Sequence, residues 1–531
     1  MKYKVLVTDK LDKEGTELLK KYNEIEVVEK ETLKGDELKK ELKGYDAIIV
    51  RSETKLTRDV IMESEGLKII ARAGVGVDNI DVQAATEKGI VVINAPAGNT
   101  MSTAEYTFAM LLALARKIPF AYYTTKYENK WDRKSFKGVE LLGKKIGIIG
   151  LGRIGTEVAK RSKAFGMEVL GYDPFVSEEL AKQIGINIVP LEVIFKESDF
   201  ITVHTPLTEK TKGMIGKEQI NMMKKSVRII NCARGGVIDE YALAEALKEG
   251  RIAGAALDVY SKEPPFEPRN PLLDAPNCIV CPHLGASTSE AQFNVAIEAS
   301  EGVINYLLHN IISNSVNMPS IDKEVYDKLK EYIVLSEKIG IIISQIIDGQ
   351  IEEFNLVCKG DITTKDLSLL SRAVLKGLFQ SFLGDTVNYV NSISTAKSRG
   401  IKVSETKEDI NTEFTNIVGV KIKSNLEEIE MWGSVFGNNK GRIVKYNNYY
   451  FEVDPNGILI FINNEDVPGI VGKVGTILGN YKINIANMNV SRDLKTKKAL
   501  IIINIDGNIT DEVVYKLQEV EGILKVKIVK L

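Results

Sequence analysis

The sequence predicts an α/β protein in which one doubly wound domain is inserted into another, followed by an α+β unit and a ferredoxin-like unit. Three observations carry this reading. Apolar runs of strand length alternate with charged helical stretches through residues 1–300. A glycine-rich turn joins one such run to a helix in the middle of that region, and residues 457–531 read strand, helix, strand, strand, helix, strand. At 531 residues the chain has room for three or four domains of about 100–200 residues each.

Taken in order, residues 4–8, 46–50, 68–71 and 90–93 are apolar runs separated by charged stretches, the pattern of a small doubly wound unit. Residues 102–117 form a helix with few charges, suited to burial between domains. The run Lys145-Ile-Gly-Ile-Ile149 is apolar enough to be buried on both faces of a parallel sheet. Gly150-Leu-Gly152-Arg-Ile-Gly155 follows it and opens a helical pattern over 153–165 and a second strand over 168–172 that ends at Asp173. In this context the first glycine permits a tight turn, the second lets a pyrophosphate approach the backbone, and the third lets helix and strand pack closely. The helix presents bare amides to the phosphates, and Asp173 stands where a carboxylate accepts ribose hydroxyls. Asp173 would repel a 2′-phosphate, and Pro174 and Phe175 supply no compensating cation, so NAD is expected rather than NADP in this Rossmann domain.

Further strands are expected at 200–203, 228–231, 253–257 and 278–280, and a long helix over 287–309 returns the chain to the first unit. The expected boundaries are 1–97 with 284–316 for a discontinuous substrate domain, and 98–283 for the nucleotide domain, with the active site in the cleft between them. Residues 317–452 mix helices, such as 323–347, with polar strands and show no catalytic constellation. The last unit, 457–531, has strands expected at 457–462, 483–490, 498–505 and 523–529 and helices at 469–481 and 510–518.

Composition narrows the partners. A formal charge of -2 with 27% charged residues gives no basic surface for nucleic acid, so none is expected. No run approaches the ~18 apolar residues of a membrane span, and the N-terminus reads straight into a strand, so neither membrane insertion nor a leader is expected. Four cysteines, at 232, 278, 281 and 358, are too few for a disulfide framework, which favours a reducing cytoplasm. Cys278 and Cys281 imitate half a zinc site, but a spacing of three along a strand sends their side chains to opposite faces and no second pair completes a tetrahedron, so no metal is expected.

Hydride transfer on a hydroxy acid needs a proton carrier, a partner that fixes the carrier's state, and a cation for the carboxylate and carbonyl. His283, in Cys281-Pro-His283-Leu-Gly-Ala-Ser287, follows a predicted strand, where a loop can expose it as an acid/base. Glu263 can pair with that imidazole and raise its pKa. Arg234, in Asn231-Cys-Ala-Arg234-Gly-Gly236, follows another strand and has the planar fork for a bidentate carboxylate. Ligands of such sheets bind at the carboxyl ends of the strands, where all three are expected. Of the other two histidines, His204 reads as support for a loop near the cofactor and His309 as a solvated helix end.

At these residues the chain resembles the D-isomer-specific 2-hydroxyacid dehydrogenase family. The pattern is met at Arg72-Ala-Gly-Val-Gly76-Val-Asp-Asn79, at Gly150–Gly155, at Asn231–Gly236, at Gly254-Ala-Ala-Leu-Asp258 and at Pro282-His-Leu-Gly-Ala-Ser-Thr288. The resemblance implies Arg234, Glu263 and His283 as the catalytic set. It implies that Val75, Arg153, Ile154, Thr205, Cys232, Asp258, Gly285 and Ala286 line the NAD site with Gly150, Gly152, Gly155 and Asp173, and that Arg51, Ser52, Arg72, Gly74 and Asn79 face the substrate. Arg133 and Lys134 look like a segment that reaches a neighbouring subunit's substrate in a homotetramer. Residues 317–452 resemble an intervening allosteric-substrate-binding domain, and the last unit looks like an ACT domain, with Asn464, Asp466 and Asn484 at turns that bind L-serine in similar proteins. Some of those proteins carry His in place of Asn464. The implied reaction is NAD-dependent oxidation of 3-phosphoglycerate to 3-phosphohydroxypyruvate, the entry to serine synthesis. Two alternatives stay open: the same chemistry on glycerate or 2-hydroxyglutarate, and a non-catalytic NAD-sensing protein.

Overall fold

The computed structural model describes residues 2–176, 181, 183, 185–319, 323–408, 414–437 and 440–531. Its first sheet holds β1 (Tyr3–Val7), β2 (Ile25–Glu29), β3 (Ala47–Val50), β4 (Ile69–Arg72) and β5 (Val91–Asn94), all parallel in the order β2-β1-β3-β4-β5. Strand β2 is not evident from the sequence: Ile-Glu-Val-Val-Glu is too polar to resemble its fully buried neighbours, and an edge strand with one solvated face tolerates that. The helix Ser289–His309 packs against this unit, with Val295, Ala296 and Ala299 in one core with Val5 and Val7.

The second sheet holds β6 (Lys145–Ile149), β7 (Glu168–Tyr172), β8 (Asn187–Ile188), β9 (Phe200–Val203), β10 (Arg228–Asn231), β11 (Gly254–Leu257) and β12 (Cys278–Val280). Their order, β12-β11-β10-β9-β6-β7-β8, is parallel throughout and reverses direction at β6/β9, the switch point of a dinucleotide-binding sheet. Side chains of β6 and β9 to β11 are buried on both faces, which is why the runs read as continuously apolar. The helix Thr100–Arg116 covers one face through Phe108, Leu111 and Leu114. Cys278 joins the core on one side of the sheet while Cys281 packs with the core on the other, the separation that their spacing requires.

The third sheet, order β14-β13-β15-β16-β17-β18, comprises β13 (Ile351–Gly360), β14 (Lys402–Glu408), β15 (Asn416–Ser424), β16 (Glu428–Phe436), β17 (Lys440–Tyr446) and β18 (Tyr449–Val453). The helices Lys323–Ile346 and Ser368–Leu383 pack on it. Asn388 and Asn391, in the loop after the second helix, donate to the backbone carbonyls of Gly89 (2.8 Å) and Glu87 (3.4 Å), tying this unit to the first.

The last unit has the expected order β19 (Ile458–Glu465), helix Ile470–Asn480, β20 (Asn484–Asp493), β21 (Lys498–Asp506), helix Asp511–Gln518 and β22 (Ile523–Lys530), arranged β20-β21-β19-β22. Alternation along its strands sends Ile460, Ile462, Ile501 and Ile503 to the two helices, and Leu459, Phe461, Leu500 and Ile502 into the core shared with the third unit. Lys525 and Lys527 close that junction on Asp348. Among the described residues no helix is long and apolar enough to cross a membrane.

Candidate active site

The carboxyl ends of strands from the first two sheets converge on a cleft of about 850 Å³. Arg51 and Ser52 follow β3, Arg72 ends β4, Arg234 follows β10 and His283 follows β12, and all of them line it together with Gly74, Val75, Asn79, Glu263 and Ala286.

His283 takes a left-handed backbone conformation, φ 57°, which a non-glycine residue holds only where its surroundings over-determine it. Here the His283 amide donates to the Asp258 carbonyl (2.9 Å), while the Asp258 carboxylate accepts the amides of Leu284 and Gly285, each at 2.8 Å. The imidazole Nδ1 donates to Glu263 Oε2 at 2.8 Å, and Glu263 Oε1 accepts the Tyr260 amide at 3.1 Å. Nδ1 is thereby fixed as a donor, and Nε2 is the ring nitrogen left to exchange a proton. The hydrogen bond to Glu263 raises the His283 pKa against the opposing pull of burial. Burial would raise Glu263, but its bonds to His283 and the Tyr260 amide and the charge of Arg234 hold it below its ordinary value. The two shifts describe one ion pair that favours the imidazolium.

Arg234 is held by its own turn: Asn231 Oδ1 accepts the Ala233 amide, and Asn231 Nδ2 donates to the Arg234 carbonyl at 2.9 Å. Arg72 is pushed down to about 10, first by burial and then by repulsion from Arg234 and Arg51, and is still cationic at neutral pH. Gly74 makes room for it, since a methyl there would collide with the guanidinium. Asn79 lines the cleft, but its amide donates to the carbonyls of Arg51 and Thr54, both at 2.7 Å, so it shapes the Arg51 loop rather than offering a donor to a ligand.

The dinucleotide motif has the geometry its spacing predicts. Gly152 caps the helix Arg153–Ala164 with no side-chain cap on its first amides, and a methyl at Gly152 would meet no atom within 4 Å, so the turn is left open on that side. A methyl at Gly155 would strike the Gly150 carbonyl. Asp173, at the end of β7, accepts the amides of Leu151 (2.8 Å) and Phe175 (2.9 Å), which aims its remaining lone pairs outward. Thr205 Oγ1 is buried beside Gly150 with no partner among the described residues. These features fit a pyrophosphate and a ribose. Cys232 is buried, with its thiol pushed up by burial, and the Asp258 carboxylate accepts the amides of the His283 loop. His204, pushed down to about 4 by burial, is a neutral partner of Thr202 and supports that loop. His309 is exposed at a helix end.

Other expected residues do not come together in one chain. Arg133 and Lys134 sit in an exposed loop beyond the helix Ile118–Tyr127, turned by Asp132, and do not line the cleft. In the last unit Asn464 is buried and donates to the Glu465 carbonyl (2.6 Å), while Asp466 is held by Arg492 at 2.7 Å. Asn484 donates to Asp506 at the far end of the sheet. Asn464 and Arg492 share the β21 partner Ala499, whereas Asn484 pairs with Asp506, so eight positions of β20 (from 484 to 492) separate Asn484 from the Asp466 end, about 25 Å.

The cleft also gathers Lys55, Arg58, Asp78 and Asn99, which sequence reasoning misses. Lys55 stands in the strand-end loop just beyond Arg51, Arg58 opens the helix Arg58–Glu63 that follows it, and Asp78 lies inside the quoted Arg72–Asn79 pattern, so position relative to a strand end is the available signal.

Residues 108–285 match the family described as D-isomer specific 2-hydroxyacid dehydrogenase, NAD binding domain; residues 328–447 match the D-3-phosphoglycerate dehydrogenase intervening domain, and residues 458–522 the ACT domain. The chain is 45% identical over 530 residues to D-3-phosphoglycerate dehydrogenase of Archaeoglobus fulgidus, covering 99% of this chain and 100% of that one. It is 44% identical over 531 residues to the enzyme of the same name from Methanocaldococcus jannaschii, with coverage of 99% and 100%. A crystal structure of D-lactate dehydrogenase from Aquifex aeolicus, complexed with NAD and lactic acid, superposes with a TM-score of 0.53 at 33% identity, covering 60% of this chain and 100% of that one. Strand-end geometry, domain order and full-length identity agree, and the chain belongs to the D-isomer-specific 2-hydroxyacid dehydrogenase family.

Proposed function

We propose that this chain catalyses the NAD-dependent oxidation of D-3-phosphoglycerate to 3-phosphohydroxypyruvate, the first step of L-serine synthesis. The observation that carries the reading is the meeting, in one cleft, of the His283–Glu263 pair with Arg234 and the further cations Arg51, Lys55, Arg58 and Arg72. A substrate with a carboxylate at one end and a phosphate at the other needs cations in two places, and the full-length relatives carry the name of this activity.

In this reading Arg234 takes the carboxylate and polarises the C2 oxygen, while Arg51, Ser52 and Arg72 take the phosphate. The Gly152–Ile154 turn would hold the pyrophosphate of NAD and Asp173 its ribose, and the bound cofactor would supply the hydride acceptor. His283 Nε2 accepts the C2 hydroxyl proton as the hydride leaves C2, so the substrate loses one hydride and one proton in all. Glu263 stabilises the imidazolium that results, and Asp258 fixes the loop that aims it. Residues 1–97 and 284–316 form the substrate-binding unit around residues 98–283, and closure of the cleft excludes water.

The working unit is an oligomer, a homotetramer by the same reading. The helix Ile118–Tyr127 and its loop expose Tyr122, Tyr123, Tyr127 and Trp131, an apolar face beside Arg133 and Lys134, which suits a contact that delivers those two cations to a neighbouring cleft. The last unit binds an amino-acid effector, L-serine, through Asp466 and Asn484.

The test is NADH formation with 3-phosphoglycerate, D-glycerate and D-2-hydroxyglutarate at equal concentrations, each with and without millimolar L-serine and with removal of the keto product. Preference for 3-phosphoglycerate with a lower rate in serine is expected. Preference for an unphosphorylated acid would overturn the substrate, and tight NAD binding without turnover would overturn the catalytic reading.

A further inference from the structure

A cleft suited to a polyanion carries a carboxylate among its cations. Asp78 lies in the loop that follows β4, lines the cleft with Arg51, Arg72 and Arg234, and places Oδ2 3.3 Å from Arg234 Nε. There it repels an anionic substrate, so its use must lie in what it holds. Two other nearby carboxylates are already engaged, since Glu263 is bound to His283 and the Tyr260 amide, and Asp9 accepts the amides of Arg51 and Thr54.

The Arg234 guanidinium is tethered on two sides. Nη1 donates to the Ala233 carbonyl at 2.7 Å, Nε faces Asp78, and the outer Nη edge is left over. The pair lies directly over Gly76, where a methyl would collide with Arg234 Nη2 and come within 2.8 Å of Asp78 Oδ2, so the glycine makes the space that the ion pair fills. Arg72 and Arg234 repel each other, and Asp78 is the carboxylate that attracts both. Asp78 is 75% exposed and Arg234 28%, so screening keeps the energy of the pair small and its effect is one of orientation.

We propose that Asp78 is a positioning residue that holds Arg234 at Nε, leaving Nη2 and the second N–H of Nη1 to address the carboxylate and C2 oxygen of the hydroxy acid. A fork turned by a few tens of degrees loses bidentate geometry at the carboxylate and polarisation at the carbonyl together, so both KM and kcat suffer. The proposal rests on the reading of Arg234 as the carboxylate-binding cation.

The experiment compares Asp78→Ala, Asp78→Asn, Arg234→Ala and the double variant Asp78→Ala/Arg234→Ala in steady-state kinetics with 3-phosphoglycerate and NAD. Asp78→Ala is expected to lower kcat/KM for the hydroxy acid about tenfold and to leave the KM for NAD within about twofold. Asp78→Asn, which keeps an oxygen for Nε, is expected to recover most of the loss. The double variant should be no worse than Arg234→Ala alone, because Asp78 acts only through Arg234. Additive losses in the double variant, an unchanged kcat/KM in Asp78→Ala, or a lower KM in Asp78→Ala, as for a carboxylate that competes with substrate, would each overturn the proposal. Full activity in Arg234→Ala would instead overturn the reading of Arg234 itself.

Discussion

The cleft and the C-terminal sheet use the same kind of material in opposite ways. Both present polar residues at strand ends and in the turns after them. In the cleft, loops from two parallel sheets bring Arg51, Arg72, Arg234, Glu263 and His283 into one space within one chain. In the last unit the strands are antiparallel, and Asp466 and Asn484 stand at opposite ends, about 25 Å apart. Parallel strands put all their carboxyl ends on one edge, so a single chain can assemble an active site there. A ferredoxin-like sheet alternates its strand ends and has no such edge. The chemistry can therefore be complete in one chain while an effector site built from both Asp466 and Asn484 needs a second.

The largest expected effect breaks the catalytic side of this contrast. His283→Ala removes the proton acceptor and should lower kcat by a factor on the order of 10³ or more, while a fluorescence titration shows NAD binding within about threefold of the native chain. Retained turnover would show that the proton leaves by another route. Glu263→Gln is milder and carries a pH signature. Oxidation requires neutral His283, whose pKa is raised by the Glu263 hydrogen bond, so kcat/KM climbs as pH rises through that raised value. Removing the carboxylate's charge should move the rising limb to lower pH and lower its plateau. The same pair stabilises the folded chain fully below the unfolded histidine value of about 6.5, and that contribution fades as pH rises through the folded value. A pH profile unchanged in Glu263→Gln would mean that the limb belongs to another group.

The catalytic half is legible in the sequence for the same physical reason that it works. Strands buried on both faces announce themselves as apolar runs, and the residues just past them are the ones a parallel sheet delivers to its functional edge. Arg234 and His283 are found that way. Asp78, Lys55 and Arg58 escape because their meeting with Arg234 depends on how two sheets are set against each other, which spacing along the chain does not encode. Strand β2 and the bounds of the third-sheet strands escape because charged residues interrupt their apolar runs, as Glu26 and Glu29 do in β2, Lys421 and Lys423 in β15, and Glu428 and Glu430 in β16. For Asp466 and Asn484, closeness in sequence conceals their separation on the sheet.

That separation sharpens the regulatory side. Asp466→Ala and Asn484→Ala, prepared separately, should each lose inhibition by L-serine and keep the uninhibited rate within about twofold. When the two variants are unfolded together and refolded, mixed oligomers should regain part of the inhibition, because one interface in such a pair unites an intact Asp466 with an intact Asn484. An effector site confined to one chain predicts no recovery at any mixing ratio.

The smallest expected effect concerns the connection between the two halves. Asn388 and Asn391 grip the carbonyls of Gly89 and Glu87 at the end of the helix Val82–Glu87, whose N-cap, Asp81, lines the cleft. Glu87 also pairs with Arg58, another lining residue, so a short helix runs from the third unit to the substrate side of the cleft. The grip is well fixed from behind: Arg372 donates to the carbonyls of Tyr389 and Val390, and Tyr389 donates to Glu337. Each neutral hydrogen bond of this kind contributes about 1 kcal/mol, so Asn388→Ala should cost roughly that in stability and little in basal rate. If the helix couples the C-terminal half to the cleft, the same variant should also raise the serine concentration needed for half inhibition by about two- to fivefold, read from an inhibition curve at fixed substrate. A drop in thermal stability with an unmoved inhibition curve would leave the two halves joined by Asn388 in structure alone, with the signal carried through other contacts.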